Sequence, residues 1–109
     1  MTTAEQLQWP VIIHYAGDPE LTLLRSQAEW PDWSAENLPD ADPRDCLIDS
    51  AGRRYRLRGS GLEEDGHCTS AAVVDMIRAH LSDGGHCCVA KFSAATAGAA
   101  IAALADMLG

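Results

Sequence analysis

Apolar and polar positions are most clearly ordered near the start of the chain, where two short apolar runs flank a turn. Residues 11–15 are rich in β-branched and aromatic side chains, which is typical of a β-strand. Gly17-Asp18-Pro19 forms the turn, because glycine accepts a positive φ and proline presets φ at a turn position. Residues 20–25 return as a second strand. The pattern predicts a hairpin and leaves its register open.

A polar, proline-containing stretch follows this hairpin. Ser26 can cap a short helix that reaches Trp30, where the next residue, Pro31, is expected to stop it. Residues 31–43 contain three prolines and several acids, which favours a surface loop. Trp30 and Trp33 either anchor this loop to the body of the protein or form an exposed binding surface, and anchoring is the preferred interpretation.

A second hairpin is predicted over residues 45–58. A two- or four-residue loop places Asp49 opposite Arg54 and Asp45 opposite Arg58. Alternation then puts both charge pairs on one face of the hairpin and the apolar pairs on the other. A bulged loop would shift the register and lose the charge match, so the in-register loop is preferred.

Three arginines, Arg54, Arg56 and Arg58, alternate along the second strand of this hairpin. They form either an anion-binding site or a solvated sheet face. The matched acids and the net charge of −8 favour the solvated face. Arg56 faces Leu47 in the predicted register and has no acid opposite it, which makes it a candidate binding residue.

The second half of the chain predicts a helix, a strand and a helix. Residues 59–67 are interpreted as a glycine-rich, acidic connection. Thr69 or Ser70 can cap a helix that reaches about residue 82 and ends before Gly84-Gly85. Residues 87–92 form a short apolar strand. The apolar stripe of the first helix consists of Val73, Val74, Ile77 and Leu81.

The last helix begins after a cap at Ser93 and carries one charged residue, Asp106, between Ala94 and Leu108. A solvated helix face normally carries more charge than this. The helix is therefore either covered on two sides or a contact in a homodimer, where alanines let two helices approach closely. Its predicted core stripe is Ala97, Ile101, Leu104 and Leu108.

Together these elements predict an α+β protein. We expect two β-hairpins followed by helix-strand-helix, in a mainly antiparallel sheet of about five strands with two helices packed on one face. Residues 1–8 lack periodicity and are predicted to be a flexible N-terminal tail. Residues 9–109 are predicted to be a single domain.

Composition narrows the classes of function. The net charge of −8 disfavours nucleic acid and anionic membrane surfaces as partners, because both would repel the chain at long range. The sequence shows neither an apolar leader nor an apolar run of spanning length, so the expected compartment is the cytoplasm. Seven of the eight cationic residues are arginine, which suits a GC-rich or salt-adapted bacterium.

Cys68, which has His67 beside it, is the strongest candidate for a reactive catalytic residue. A helix N-terminus lowers the pKa of a thiol, and an imidazole can take its proton, which points to a thiol-dependent enzyme or a redox protein. Acidic residues 63–65 oppose a thiolate, and adjacent side chains rarely point at one another. An incidental thiol is therefore the preferred interpretation.

Neither a metal nor a cofactor is predicted. The four cysteines contain no CxxC pair, and free buried thiols are expected. The GSG at 59–61 is not followed by a dinucleotide-binding fingerprint. Cysteine and histidine suit zinc as ligands, but their spacing matches no zinc motif, and the residues concerned are His67, Cys68, His80, His86, Cys87 and Cys88.

Two motifs suggest a family. The chain reads WPxIIxYxGDxELTxL from Trp9 and CLIDSxGxxYxL from Cys46, with a tryptophan at position 30 between them. This resembles a small family of uncharacterised bacterial proteins, a domain of unknown function of about this length. The resemblance covers the first half of the chain and implies no activity, cofactor or catalytic residue. It favours a binding or interaction module over an enzyme, with the Cys68 thiol protein as the alternative.

Overall fold

The computed structural model describes residues 2–58, 61–85 and 92–108. Its strands are β1 (Val11–His14), β2 (Leu21–Leu24), β3 (Cys46–Ile48), β4 (Arg53–Arg58) and β5 (Gly61–His67). The described α-helices are α1 (Trp30–Asn37), α2 (Ser70–Asp83) and α3 (Ala97–Met107). The strands form one antiparallel sheet in the order β2-β1-β3-β4-β5.

The predicted α+β architecture is confirmed, with helices on both faces of the sheet. α2 and α3 pack on one face over Ile12 and Ile48, and this cluster draws its sheet residues from β1, β2 and β3. α1 and the residues before β1 cover the opposite face, over Leu47 and Tyr55. Because β1 and β3 are covered on both sides, their apolar residues run consecutively.

The first hairpin turns where the sequence predicts. Its strands pair from Val11 with Leu24 to His14 with Leu21. The N–H of Asp18 donates to the carbonyl of Tyr15, and Gly17 between them has a φ of +74°, a left-handed backbone that glycine adopts without strain.

The second hairpin uses the bulged loop, so the predicted register is wrong by one residue. Cys46 pairs with Arg56 and Ile48 with Arg54, and Leu47 faces Tyr55. The amide of Asp49 donates to the carbonyl of Arg53 at 3.1 Å, which closes a three-residue loop ending at Gly52 with a φ of +82°.

Two acids predicted to pair with Arg54 and Arg58 bind mainly backbone amides, and the arginine beside Asp49 is Arg53, whose Nε lies 3.7 Å from Asp49 Oδ2. Asp49 has no exposed surface, and its carboxylate accepts hydrogen bonds from the N–H groups of Ala51 and Arg53, both at 3.0 Å, and of Gln8 at 3.2 Å. Asp45 is also buried and accepts from the N–H of Ala16 at 2.7 Å. Buried carboxylates need such donors, and here the donors in the loop select the bulged register.

One strand of the sheet forms where the sequence predicts a connection. The apolar strand predicted at 87–92 lies, apart from Phe92, outside the described residues. Among the described residues the fifth strand of the sheet is β5, which lies in the segment interpreted from the sequence as a connection. Its acids pair across to β4, with Glu63 opposite Arg56, and a register shift accommodates Gly66 at a φ of +86°. An exposed edge strand lacks the alternation that identifies half-buried strands.

The predicted loop over 31–43 begins with a helix. Pro31 lies in the first turn of α1, where its missing N–H has no intrahelical acceptor, so it starts the helix instead of ending it. Trp30 and Trp33 are both half-buried against the sheet, with ring centroids 5.5 Å apart. These contacts support the anchoring interpretation.

Residues 2–8, for which the sequence predicts flexibility, lie against the sheet. The N–H of Thr2 donates to the carbonyl of Leu62 at 3.0 Å, and Leu7 is buried in the α1 face. Gln8 contacts the second hairpin twice, through Asp49 and through the N–H of Ser50 at 2.9 Å. The segment therefore joins β5 to the loop between β3 and β4.

The helix stripes follow the predicted spacing with one exception. Ile101 and Leu104 are buried in α3, whereas Leu108, predicted as core, is 46% exposed because it lies just beyond the last turn that faces the sheet. Within the described residues, no helix combines the length and apolarity needed to cross a membrane. All four predicted core residues of α2 are buried, namely Val73, Val74, Ile77 and Leu81.

Asp49→Asn should reduce the free energy of unfolding by about 2–4 kcal/mol, because an amide nitrogen would face backbone donors in a buried site. Urea denaturation monitored by circular dichroism measures this loss. Asp18→Asn is the matched control, since Asp18 is exposed and accepts from the N–H of Glu20 in a local turn. Equal stability of the two variants would contradict the role assigned to Asp49.

Gly98→Ala should destabilise the protein by about 1–2 kcal/mol, although alanine is the better helix former. A Cβ at this position would lie 2.5 Å from the carbonyl oxygen of Ser50, so α3 would have to move away from the β3–β4 loop. Thermal and urea unfolding measure the effect. A variant more stable than the wild type would show that α3 does not pack this closely.

Candidate functional site

The predicted thiol site lies between β5 and α2. Cys68 is half-buried, and its amide donates to the carbonyl of Gly52 at 2.8 Å. Burial raises the pKa of the Cys68 thiol, and the nearby charge of Arg54 opposes this only in part. At neutral pH the group is therefore a thiol, which is the opposite of what a nucleophile needs.

His67 does not assist that thiol. It is exposed at the end of β5, where it pairs with Arg53 of β4. Among the hydrogen bonds of the described residues, none joins His67 to Cys68. In the first turn of α2, the N–H of Ala72 donates to the hydroxyl oxygen of Thr69 at 3.1 Å, so this N–H is not available to the thiol. The structure therefore brings the two residues near the helix without forming a catalytic pair.

A metal centre finds no support in the described part of the chain. Residues 2–58, 61–85 and 92–108 hold no cluster of three potential ligands drawn from His, Cys, Asp and Glu. His80 has another role, since its Nδ1 accepts a hydrogen bond from the N–H of Leu21 at 3.0 Å and ties α2 to β2. His86, Cys87 and Cys88 lie outside the described residues.

The two tryptophans line different clefts. Trp30 lines a cleft of about 380 Å³ together with Thr2, Gln27 and Leu62, between the N-terminal segment and the start of β5. Trp33 lines a separate cleft of about 180 Å³. Both indoles pack on the sheet, and because they line separate clefts they do not form one shared binding surface.

Three arginines of β4, namely Arg54, Arg56 and Arg58, lie on the sheet face that α2 and α3 only partly cover. Arg54 and Arg56 are paired with Ile48 and Cys46, so their side chains share the face of these two residues. The helices pack over β1, β2 and β3, which leaves the arginines about 40% exposed beside them, with values of 42%, 39% and 40% for Arg54, Arg56 and Arg58.

Their acidic partners come from β5 and not from β3. Asp65 Oδ2 lies 3.3 Å from Arg54 Nη2 and 3.0 Å from Arg56 Nε. Arg58 Nε lies 3.4 Å from Glu63 Oε2. The prediction that Arg56 has no acidic partner is therefore wrong, because the partner lies on β5, which the sequence presents as a connection.

A cleft of about 130 Å³ opens between these arginines and the loop before β3. We call it the arginine cleft, and its lining residues are Arg44, Cys46, Arg54, Arg56 and Asp65. Burial raises the pKa of Cys46 to about 11, so this wall of the cleft carries no charge at neutral pH. Sequence reasoning singled out Arg56 and missed Arg44 and Asp65, which reach the cleft only through the fold.

The outward face of α3 is almost uncharged, as the sequence indicates. Ala99 and Ala102 are exposed, and Met107 is 50% exposed at the end of the helix. The inner side packs on the sheet and on α2. Arg25 donates from Nη2 to the carbonyl of Ala105 at 3.1 Å, satisfying one acceptor of the last turn.

Comparison with known proteins places this fold in a family. A family model described as a protein structure with unknown function matches residues 9–104. An NMR structure of a protein from Shewanella amazonensis is 28% identical to this chain, with a TM-score of 0.74, and the match covers 99% of this chain and 96% of that one. No protein with a curated description matches. The resemblance to a family of unknown function is confirmed.

Cys68 should react with iodoacetamide more slowly at neutral pH than the thiol of glutathione. Its raised pKa leaves little thiolate at that pH, and the rate should climb as the pH rises above the ordinary range of a thiol. Mass spectrometry of a variant lacking Cys87 and Cys88 measures the rate, with Cys68→Ser in the same background as control. Fast alkylation at neutral pH would restore the thiol-enzyme hypothesis.

Proposed function

The chain belongs to the DUF4144 family, and we propose that it is a binding module that docks a second copy of itself through α3. The observation that carries this proposal is the outward face of α3. It exposes Ala99 and Ala102 and one charged residue, Asp106, over three turns. Small side chains allow the axes of two helices to come close together.

Two larger apolar side chains are exposed where α3 ends. Met107 is 50% exposed and Leu108 is 46% exposed, and they are the large hydrophobic side chains most open to solvent among the described residues. Exposed apolar side chains beside an almost uncharged helix favour an interaction site.

The position of Asp106 favours an antiparallel pair of α3 helices. A two-fold axis near Ala102 would place Asp106 of each copy beside the N-terminus of the other copy's helix, which begins after Thr96. A carboxylate is stabilised there by the helix dipole. A parallel pair would instead bring the two carboxylates together.

Charge restricts where two copies can meet. Each chain carries a net charge of −8, so most faces of two copies repel one another. The face of α3 is a surface on which contact brings few charges together. Salt screens the remaining repulsion, so the association should strengthen as the ionic strength rises.

Sedimentation velocity at micromolar concentration tests the proposal. The wild type should sediment as a dimer, more completely at high salt, and Ala102→Arg should be monomeric because the guanidinium would be buried in the contact. Ala79→Arg is the matched control, since Ala79 is an exposed alanine on α2. A strictly monomeric wild type, or equal behaviour of the two variants, would contradict a dimer through α3. Circular dichroism confirms that both variants fold.

A further inference from the structure

We propose that the arginine cleft binds a small tetrahedral oxyanion, either phosphate itself or the phosphate group of a small ester. Three guanidinium groups line this cleft, from Arg44, Arg54 and Arg56, together with one carboxylate, that of Asp65. The site is independent of α3 and of the proposed dimer.

The distribution of charge along the chain supports such a site. The chain is acidic overall, with a net charge of −8, yet five of its seven arginines fall between positions 44 and 58. Folding gathers three of these five around one cleft. An anion that is repelled by most of the surface would therefore meet three guanidinium groups here, while the carboxylates of Asp42, Asp45 and Asp65 offset part of their charge.

The hydrogen-bonding capacity of Arg54 and Arg56 is only partly used. Arg54 donates from Nε to the carbonyl of Asp65 at 3.0 Å and pairs through Nη2 with its carboxylate. Arg56 pairs through Nε with the same carboxylate and donates from Nη1 to the carbonyl of Pro43 at 3.1 Å. Each guanidinium carries five N–H groups, so contacts with described residues leave donors on both for a ligand.

The third guanidinium is available because its own ion pair is exposed. Arg44 Nε lies 3.1 Å from Asp42 Oδ1, with side chains 76% and 41% exposed. Ion pairs this open to water contribute little to stability, so an anion in the cleft can compete for Arg44 at small cost.

A carboxylate oxygen of Asp65 already occupies the position at which a ligand oxygen would bind. Asp65 Oδ2 is within 3.3 Å of a nitrogen of Arg54 and 3.0 Å of a nitrogen of Arg56, so both guanidinium groups converge on one oxyanion position. This arrangement orients the arginines before a ligand arrives. The carboxylate of Asp65 also repels an incoming anion, which would have to displace it from the two arginines.

The volume of the cleft limits the class of ligand. At about 130 Å³ it is well below the roughly 300–1,000 Å³ of pockets that enclose a drug-sized molecule. It accommodates an ion or a single charged group and not a whole nucleotide. The neutral thiol of Cys46 in the wall adds no charge that would oppose an anion.

The competing interpretation is an ion-pair cluster that only holds β5 against β4. In that case, replacing either Asp65 or Arg56 would destabilise the protein and change nothing else. If the cleft is an anion site, the two substitutions have opposite effects on binding, because one removes a competitor and the other removes a donor.

Titration with inorganic phosphate at constant ionic strength, followed by ¹H–¹⁵N NMR, distinguishes these interpretations. We expect saturable shifts near the cleft, with affinity lowered about tenfold in Arg56→Gln through loss of a charge-assisted hydrogen bond and raised in Asp65→Asn. Arg58→Gln is the matched control, since Arg58 shares the strand and face but pairs with Glu63 outside the cleft.

A second titration, with glycerol phosphate, distinguishes inorganic phosphate from a phosphate ester as the ligand. Tighter binding of the ester than of inorganic phosphate assigns the site to a phosphorylated small molecule, and the reverse assigns it to the free ion. Unfolding curves confirm that each variant is folded. Linear shifts without saturation, equal affinities of Arg56→Gln and Arg58→Gln, or the same response to chloride would overturn the proposal.

Discussion

The burial of one carboxylate, that of Asp49, is the constraint on which the rest of the structure depends. It has no exposed surface and accepts hydrogen bonds from backbone amides of its own loop and of Gln8. These donors, with the Arg53 guanidinium 3.7 Å away, offset the cost of removing a charge from water. By binding them, Asp49 closes the β3–β4 loop and holds the segment before β1. The same loop contains Ser50, next to which α3 packs at Gly98.

The register that this loop imposes determines which side chains lie on each face of the sheet. A shift of one residue moves every side chain of a strand to the opposite face. The observed register therefore puts Tyr55 and Leu57 into the core under α1, and Arg54, Arg56 and Arg58 on the face of Cys46 and Ile48. Since α2 and α3 cover only β1, β2 and β3 on that face, the arginines remain in contact with water.

Two surfaces of different chemistry result, and they lie on different elements. The outward side of α3 is apolar and nearly uncharged, which suits contact between two copies of an acidic chain. The arginine cleft brings three guanidinium groups together, which suits a small anion. The Cys68 site, by contrast, shows a thiol whose pKa burial has raised and a histidine that does not contact it.

The amino-acid sequence by itself determined the α+β class, both hairpins, the turn at Gly17, the core stripe of α2 and the uncharged face of α3, because each depends on local periodicity or turn chemistry. Tertiary structure decided three other features. Pro31 starts a helix because Trp30 and Trp33 gain burial against the sheet. An acidic segment becomes β5 because β4 offers it arginines and an open edge. Asp49 selects a bulged loop because its carboxylate is buried among backbone donors, and burial cannot be deduced from spacing along the chain. For the same reason, Arg56 was found from sequence as a candidate, while the cleft that it shares with Arg44 and Asp65 was not.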